Sequence, residues 1–191
     1  FLGHLFVKAT QGVKVRLLID GRGSVVLTLP LLGRDLLQEL AGTGNVEVYV
    51  YNPPVSQVLR SLWERSLLPV SSGTHQKILV ADDTLAMTGG RNLSRAYFGA
   101  HADEPTAMVD ADVLIDGPAV HEIRASMERE LKSTTLARVR PDLVNFVSQR
   151  DELVMLHAAM DAWLHGTVPS SPTAEAMLAL EAKALAALPA L

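Results

Sequence analysis

The chain has 191 residues, 48% hydrophobic and 20% charged, which suits one domain or two small ones and is too apolar for a disordered segment. A formal charge of −4, from 17 basic and 21 acidic side chains, excludes a nucleic-acid binder that works by bulk positive charge and leaves room for a local basic site. There is no cysteine, so disulfide frameworks and thiolate metal centres are excluded; no run of about 18 apolar residues reads as a membrane span.

The opening FLGHLFVKATQG reads as a helix with Leu2, Leu5, Phe6 and Ala9 on one face and Gly12 as its stop. Beginning at Phe1 without an initiator, the chain reads as a piece of a longer protein or a processed product. Val13–Ile19 is expected as a buried strand, Asp20–Ser24 as a loop, Val25–Leu32 as an element broken by Pro30, and Gly33–Ala41 as a short helix. Val46–Tyr51 (VEVYVY) alternates strictly and predicts a strand that Asn52-Pro53-Pro54 ends. Ser56–Leu68 carries Val58, Leu59, Leu62 and Trp63 at helical spacing. Gln76–Ala81 and Thr84–Thr88 read as the two strands of a hairpin turned by Asp82-Asp83. Thr106–Ile115 is a further strand, and Gly117-Pro118 opens a helix on Val120, Ile123, Met127 and Leu131. From about Pro141 the pattern is helical, with Ser170-Ser171-Pro172 as the best linker. Strands alternating with helices give an α/β class with a mixed, partly parallel sheet flanked by helices and a helical C-terminal extension.

The chemistry concentrates in HQKILVADDTLAMTGGRN. His75 and Lys77 are two apart on an expected strand and so share a face. An imidazole beside an ammonium is a poor core pair and a good anion site, where the fixed charge favours a neutral, nucleophilic ring. Gly89 and Gly90 allow backbone to approach a ligand. Asn92 stands where an N-cap or an amide donor to phosphate would stand, at the start of the helical LSRAYF.

His75-x-Lys77-x4-Asp82-x6-Gly89-Gly90-x-Asn92 resembles the HKD motif of the phospholipase D superfamily. GVKVRLLID is similar to the first core strand of that family's repeat. GGRNLSRAYF and the segment Asp110-Ala111-Asp112-Val113 through Gly117-Pro118-Ala119-Val120 are similar to its bacterial cardiolipin-synthase form. The resemblance implies a phospholipase D-like α/β/α sandwich over residues 1–135, with 136–191 as a helical extension toward a second repeat. It implies covalent catalysis in which His75 is nucleophile or general acid, and Lys77 and Asn92 bind phosphate. Gly89 and Gly90 would form a backbone cradle, Asp82 would build the hairpin turn, and Asp110 would orient a motif histidine. No metal or cofactor is implied. The implied partners are a phospholipid substrate and a second HKD repeat, in the same parent chain or in a homodimer. Peripheral association with the cytoplasmic face of a bacterial membrane is implied too, and no nucleic acid. The family's acidic residue is replaced by Ala96, and its aromatic pair by Glu130-Leu131. His4, His101, His121, His157 and His165 each lack a lysine two residues on, so the chain carries half of such a site. Two other readings stand beside this one: a single-motif nuclease completed by homodimerisation, and a catalytically silent interaction half.

Overall fold

The computed structural model describes residues 1–29, 34–53, 59, 62–63, 73–93, 95–98, 107–133, 136–141, 148–166, 179, 182 and 186. In chain order the elements are α1 (Leu2–Thr10), β1 (Val15–Asp20), α2 (Gly21–Leu27), β2 (Thr28–Leu29), β3 (Arg34–Asp35), α3 (Leu36–Gly42), β4 (Val46–Tyr51), β5 (Ile78–Ala81), β6 (Leu85–Gly89), α4 (Arg95–Phe98), β7 (Asp112–Asp116), α5 (Ala119–Glu130), β8 (Leu136–Arg138) and α6 (Arg150–Leu164). The class is mixed α/β, with parallel and antiparallel strand pairs and flanking helices. Two compact units form: Phe1–Gly73 with Thr135–Leu191, and Thr74–Thr134.

The first unit is built on β4. Its alternation is realised as alternating burial, with Val46, Val48 and Val50 inside. β1 runs parallel to it from Val15 opposite Val46 to Asp20 opposite Tyr51. β8 closes the other edge antiparallel, Tyr51 opposite Leu136. A parallel pair needs a long crossover, and the chain between β1 and β4 supplies α2, the β2–β3 ladder and α3. α3 buries Leu36, Leu37, Leu40 and Ala41, one face at helical spacing. Asp35 caps it, accepting from the Leu37 and Gln38 amides at 3.0 Å each. Burial pushes the Asp35 carboxyl up from its ordinary range, and the two amide bonds oppose that. Phe6, Val7 and Ala9 of α1 and Leu153 and Val154 of α6 complete one continuous apolar core. α1 and α6 approach so closely that a Cβ on Gly3 would strike the Leu153 carbonyl and the His157 amide nitrogen.

Several boundaries differ from the sequence reading. The expected loop at Asp20–Ser24 is instead the start of α2: Asp20 Oδ1 accepts from the Arg22 amide at 2.9 Å and Ser24 Oγ donates to the Gly21 carbonyl, local bonds that start a helix at the strand's end. The expected break at Pro30 and the Ser170–Pro172 linker lie outside the described residues. Leu59, Leu62 and Trp63, read as an inward stripe, are exposed. Residues 136–138 and 150–164, from the helical extension of the sequence reading, supply β8 and α6 to the first unit.

The second unit is an antiparallel sheet in the order β5-β6-β7. Its register runs Ile78 opposite Thr88 to Ala81 opposite Leu85, and Leu85 opposite Asp116 to Gly89 opposite Asp112. The hairpin turn Ala81–Thr84 is closed by the Thr84 amide on the Ala81 carbonyl at 3.1 Å. Asp82 and Asp83 take φ of 49° and 58°, the pair of positive values that a type I′ turn requires and that Asp tolerates better than most residues. Arg124 of α5 bonds the Asp83 carboxylate, and Val120 of α5 is fully buried.

Candidate functional site

His75 and Lys77 lead into β5 without belonging to it. The ladder ends at the Ile78–Thr88 pair, so residues 74–77 have no regular structure and the expected strand from Gln76 starts two residues later. His75 is exposed and Lys77 half-buried. Lys77 Nζ donates to the His75 carbonyl at 2.8 Å, which leaves two of its three N–H groups for an anion. The last ladder pair, Ile78 opposite Thr88, leaves Lys77 one residue before β5 and Gly89 one residue after Thr88 on β6. Asp82 is at the far end of β5, roughly 16 Å from Lys77 at the rise of a strand. Asp82, with its positive φ, builds the hairpin turn.

Gly89 and Gly90 are small because the chain around Asp110–Asp112 runs directly over them. A Cβ on Gly89 would strike the Asp112 carboxylate and meet the Asp112 Cα at 2.7 Å; one on Gly90 would strike the Asp110 carboxylate. The Gly90 amide donates to the Ala111 carbonyl at 3.3 Å. Arg91 fastens the same contact from its side chain, donating to the Asp110 carbonyl from Nε at 3.3 Å and Nη2 at 3.0 Å, with its Nε 3.5 Å from Asp112 Oδ2. Asp110 Oδ1 accepts from the Ala111 amide at 2.8 Å. Among the described residues this amide meets the Asp110 carboxylate and Arg91 meets its carbonyl, and no histidine bonds either. Asn92 Nδ2 donates to the Tyr97 hydroxyl at 3.0 Å.

The structure therefore brings together Gly89, Gly90, Asp110 and Asp112 in one polar knot, with Asn92 following it; the Lys77 ammonium bonds the His75 carbonyl instead of a member of the knot. Arg91 and Tyr97 were not singled out by the sequence. The signal for Arg91 was its place inside GGRN ahead of an Asp-x-Asp strand; Tyr97 carried none beyond standing five residues past Asn92. A missed pair lies in the first unit: the His4 and His157 rings stack at 4.5 Å between centroids, tilted by 39°, across the α1–α6 contact. Burial pushes both rings below the ordinary imidazole value, and their mutual repulsion adds to it for His157. His165, by contrast, is exposed and pairs with Asp161 on its own helix at 3.5 Å. His101 lies outside the described residues. Among the described residues no group of three His, Asp or Glu side chains could hold a metal ion, and no helix is long and apolar enough to cross a membrane.

The mixed α/β architecture agrees with the phospholipase D-like class of domains, and the family match over residues 1–133 places the chain in it. Specifically, it belongs to the family described as cardiolipin synthase, PLD-like domain, whose profile matches residues 1–133. It is 32% identical over 126 residues to cardiolipin synthase C of Escherichia coli strain K12, covering 65% of this chain and 25% of that protein. It is 31% identical over 134 residues to cardiolipin synthase B of the same strain (70% and 29%), and 32% identical over 121 residues to cardiolipin synthase 1 of Bacillus cereus (63% and 21%). The matched part thus spans between a fifth and a third of the length of these relatives. No solved structure matches the chain.

Proposed function

We propose that this chain is one catalytic repeat, the N-terminal half, of a cardiolipin-synthase-like phosphatidyltransferase that works through a phosphohistidine. The observation that carries the reading is the coincidence of the family match over residues 1–133 with an intact His75-x-Lys77 and Gly89-Gly90-x-Asn92 inside one compact unit. A neutral His75 nitrogen attacks the phosphorus of a phospholipid phosphodiester, and the bond from phosphorus to the departing alcohol breaks. That alcohol takes a proton from the histidine of a second repeat. The same second histidine then removes a proton from the acceptor hydroxyl, which attacks phosphorus and releases His75. Lys77 and Asn92 donate to the non-bridging oxygens as charge gathers on them. A covalent intermediate divides one difficult displacement into two. The lipid substrate, the second repeat and peripheral attachment to the cytoplasmic face of a bacterial membrane belong to this reading.

The test is to assemble the chain with its second repeat and assay headgroup exchange on phospholipid vesicles. His75→Asn, with circular dichroism unchanged, is expected to lower turnover by at least about a thousandfold and to abolish a phosphoenzyme trapped by acid quench. Unaltered turnover in that variant would overturn the reading.

A further inference from the structure

An amide that binds phosphate has to present its N–H end. A side-chain amide attached through a freely turning χ2 presents oxygen as readily as nitrogen, and oxygen repels an anion. Asn92 is not left free to turn. One N–H of Nδ2 donates to the Tyr97 hydroxyl at 3.0 Å, both side chains being half-buried. Each end of that link is itself anchored. On the Asn92 side, the preceding Arg91 grips the Asp110 carbonyl with two N–H groups. On the Tyr97 side, the adjacent Ala96 carbonyl accepts from the Met108 amide at 2.7 Å, tying the single turn α4 to the chain that enters β7. A hydrogen bond between two anchored groups keeps one geometry, because little freedom remains for either partner to lose.

We propose that Tyr97 is a positioning residue for phosphate: its hydroxyl holds the Asn92 amide so that the second Nδ2 N–H faces a phosphoryl oxygen. The inference rests on the reading of Asn92 as a phosphate ligand. Tyr97 itself donates nothing to the anion; its effect passes through Asn92 alone. That confinement makes it testable by a double-mutant cycle, since a residue that merely supports the unit would act whether or not Asn92 is present.

The experiment titrates inorganic phosphate into the ¹⁵N-labelled 191-residue chain and follows the Asn92 side-chain amide and the His75 ring by NMR. Tyr97→Phe keeps the ring and removes the acceptor. It is expected to weaken phosphate binding by roughly three- to tenfold, with a melting temperature close to that of the parent. Asn92→Ala should weaken binding at least as much, and the double variant should match Asn92→Ala. Unchanged affinity in Tyr97→Phe beside a weakened Asn92→Ala overturns the positioning role and leaves the phosphate site standing, as do losses that simply add in the double variant. Should Asn92→Ala bind phosphate as the parent does, or should the parent show no phosphate-dependent shift, the phosphate reading falls and the inference falls with it.

Discussion

The two units are held by different physics. In the first, Phe6, Leu37, Leu40, Val48, Leu153 and Val154 are buried almost completely and touch as one cluster drawn from two outer helices, an inner helix and the central strand. In the second, the described residues bury only Ala86 and Val120 among apolar side chains, and Leu79, Met87 and Leu114, cross-strand neighbours in one row, stay more than 40% exposed. Backbone register, a turn with two left-handed aspartates and the ion pairs of Arg91 and Arg124 hold the second unit instead. The residues with chemistry to offer sit in this second, polar-stitched unit. A hydrophobic core tolerates neighbours that are merely the right size, whereas hydrogen bonds and close backbone approaches fix atoms in particular places. Placement of an anion's ligands needs the latter.

This contrast predicts unequal costs for similar deletions. Leu37→Ala removes a fully buried side chain and should cost about 2–5 kcal/mol in urea unfolding. Leu79→Ala, on the exposed row, should stay within about 0.5 kcal/mol. Equal costs would mean that the row is covered, and the comparison would break. A smaller effect separates the two glycines. In Gly89→Ala the new methyl meets backbone of β7 and the preceding residue, which has to move, at about 1–3 kcal/mol. In Gly90→Ala it meets only the Asp110 carboxylate, a side chain that can swing aside, so the variant should melt closer to the parent. A Gly90→Ala more damaging than Gly89→Ala would show that Asp110 is fixed.

The smallest effect is a pH dependence confined to the first unit. His4 and His157 both have folded-state pKa values lowered by burial. The unfolded chain therefore binds more protons than the folded one below about pH 6.5, and stability falls as pH drops through that value toward the lowered ones. Lys8 and the chain's amino terminus add to the repulsion at His4, and Asp161 opposes it. Denaturation midpoints at pH 7.5 and 5.5 should differ less in His157→Gln than in the parent. An identical slope in the two would assign the dependence to other groups.

Much of this was legible before any coordinates. VEVYVY fixed β4 to the residue, because alternation of large and small polarity every second position has no helical solution that buries one face. Val120, Ile123 and Met127 marked α5, and Asp82-Asp83 marked the turn through backbone preferences that operate within four residues. The His75-to-Asn92 pattern was visible at the same range. The missed start of α2 was local, whereas the other missed parts were long-range. β8 is Leu-Ala-Arg, three residues with no strand signal of their own, and it exists because the edge of β4 offers unpaired donors and acceptors. The His4–His157 stack joins residues 153 positions apart in the chain. The glycine pair was read as room for a ligand; on the side where a Cβ would point, the chain at 110–112 fills the space.

Sequence alone determined β4, α5, the hairpin turn and the residue kinds available to an anion, since these follow from periodicity, local turn chemistry and spacing; the family followed from likeness to known proteins. Only the tertiary structure decided which partners those residues take: Tyr97 for Asn92, the 110–112 chain for the two glycines, α6 for α1. Such choices depend on where distant segments are brought by core packing and sheet register, and no local stretch of the chain encodes that.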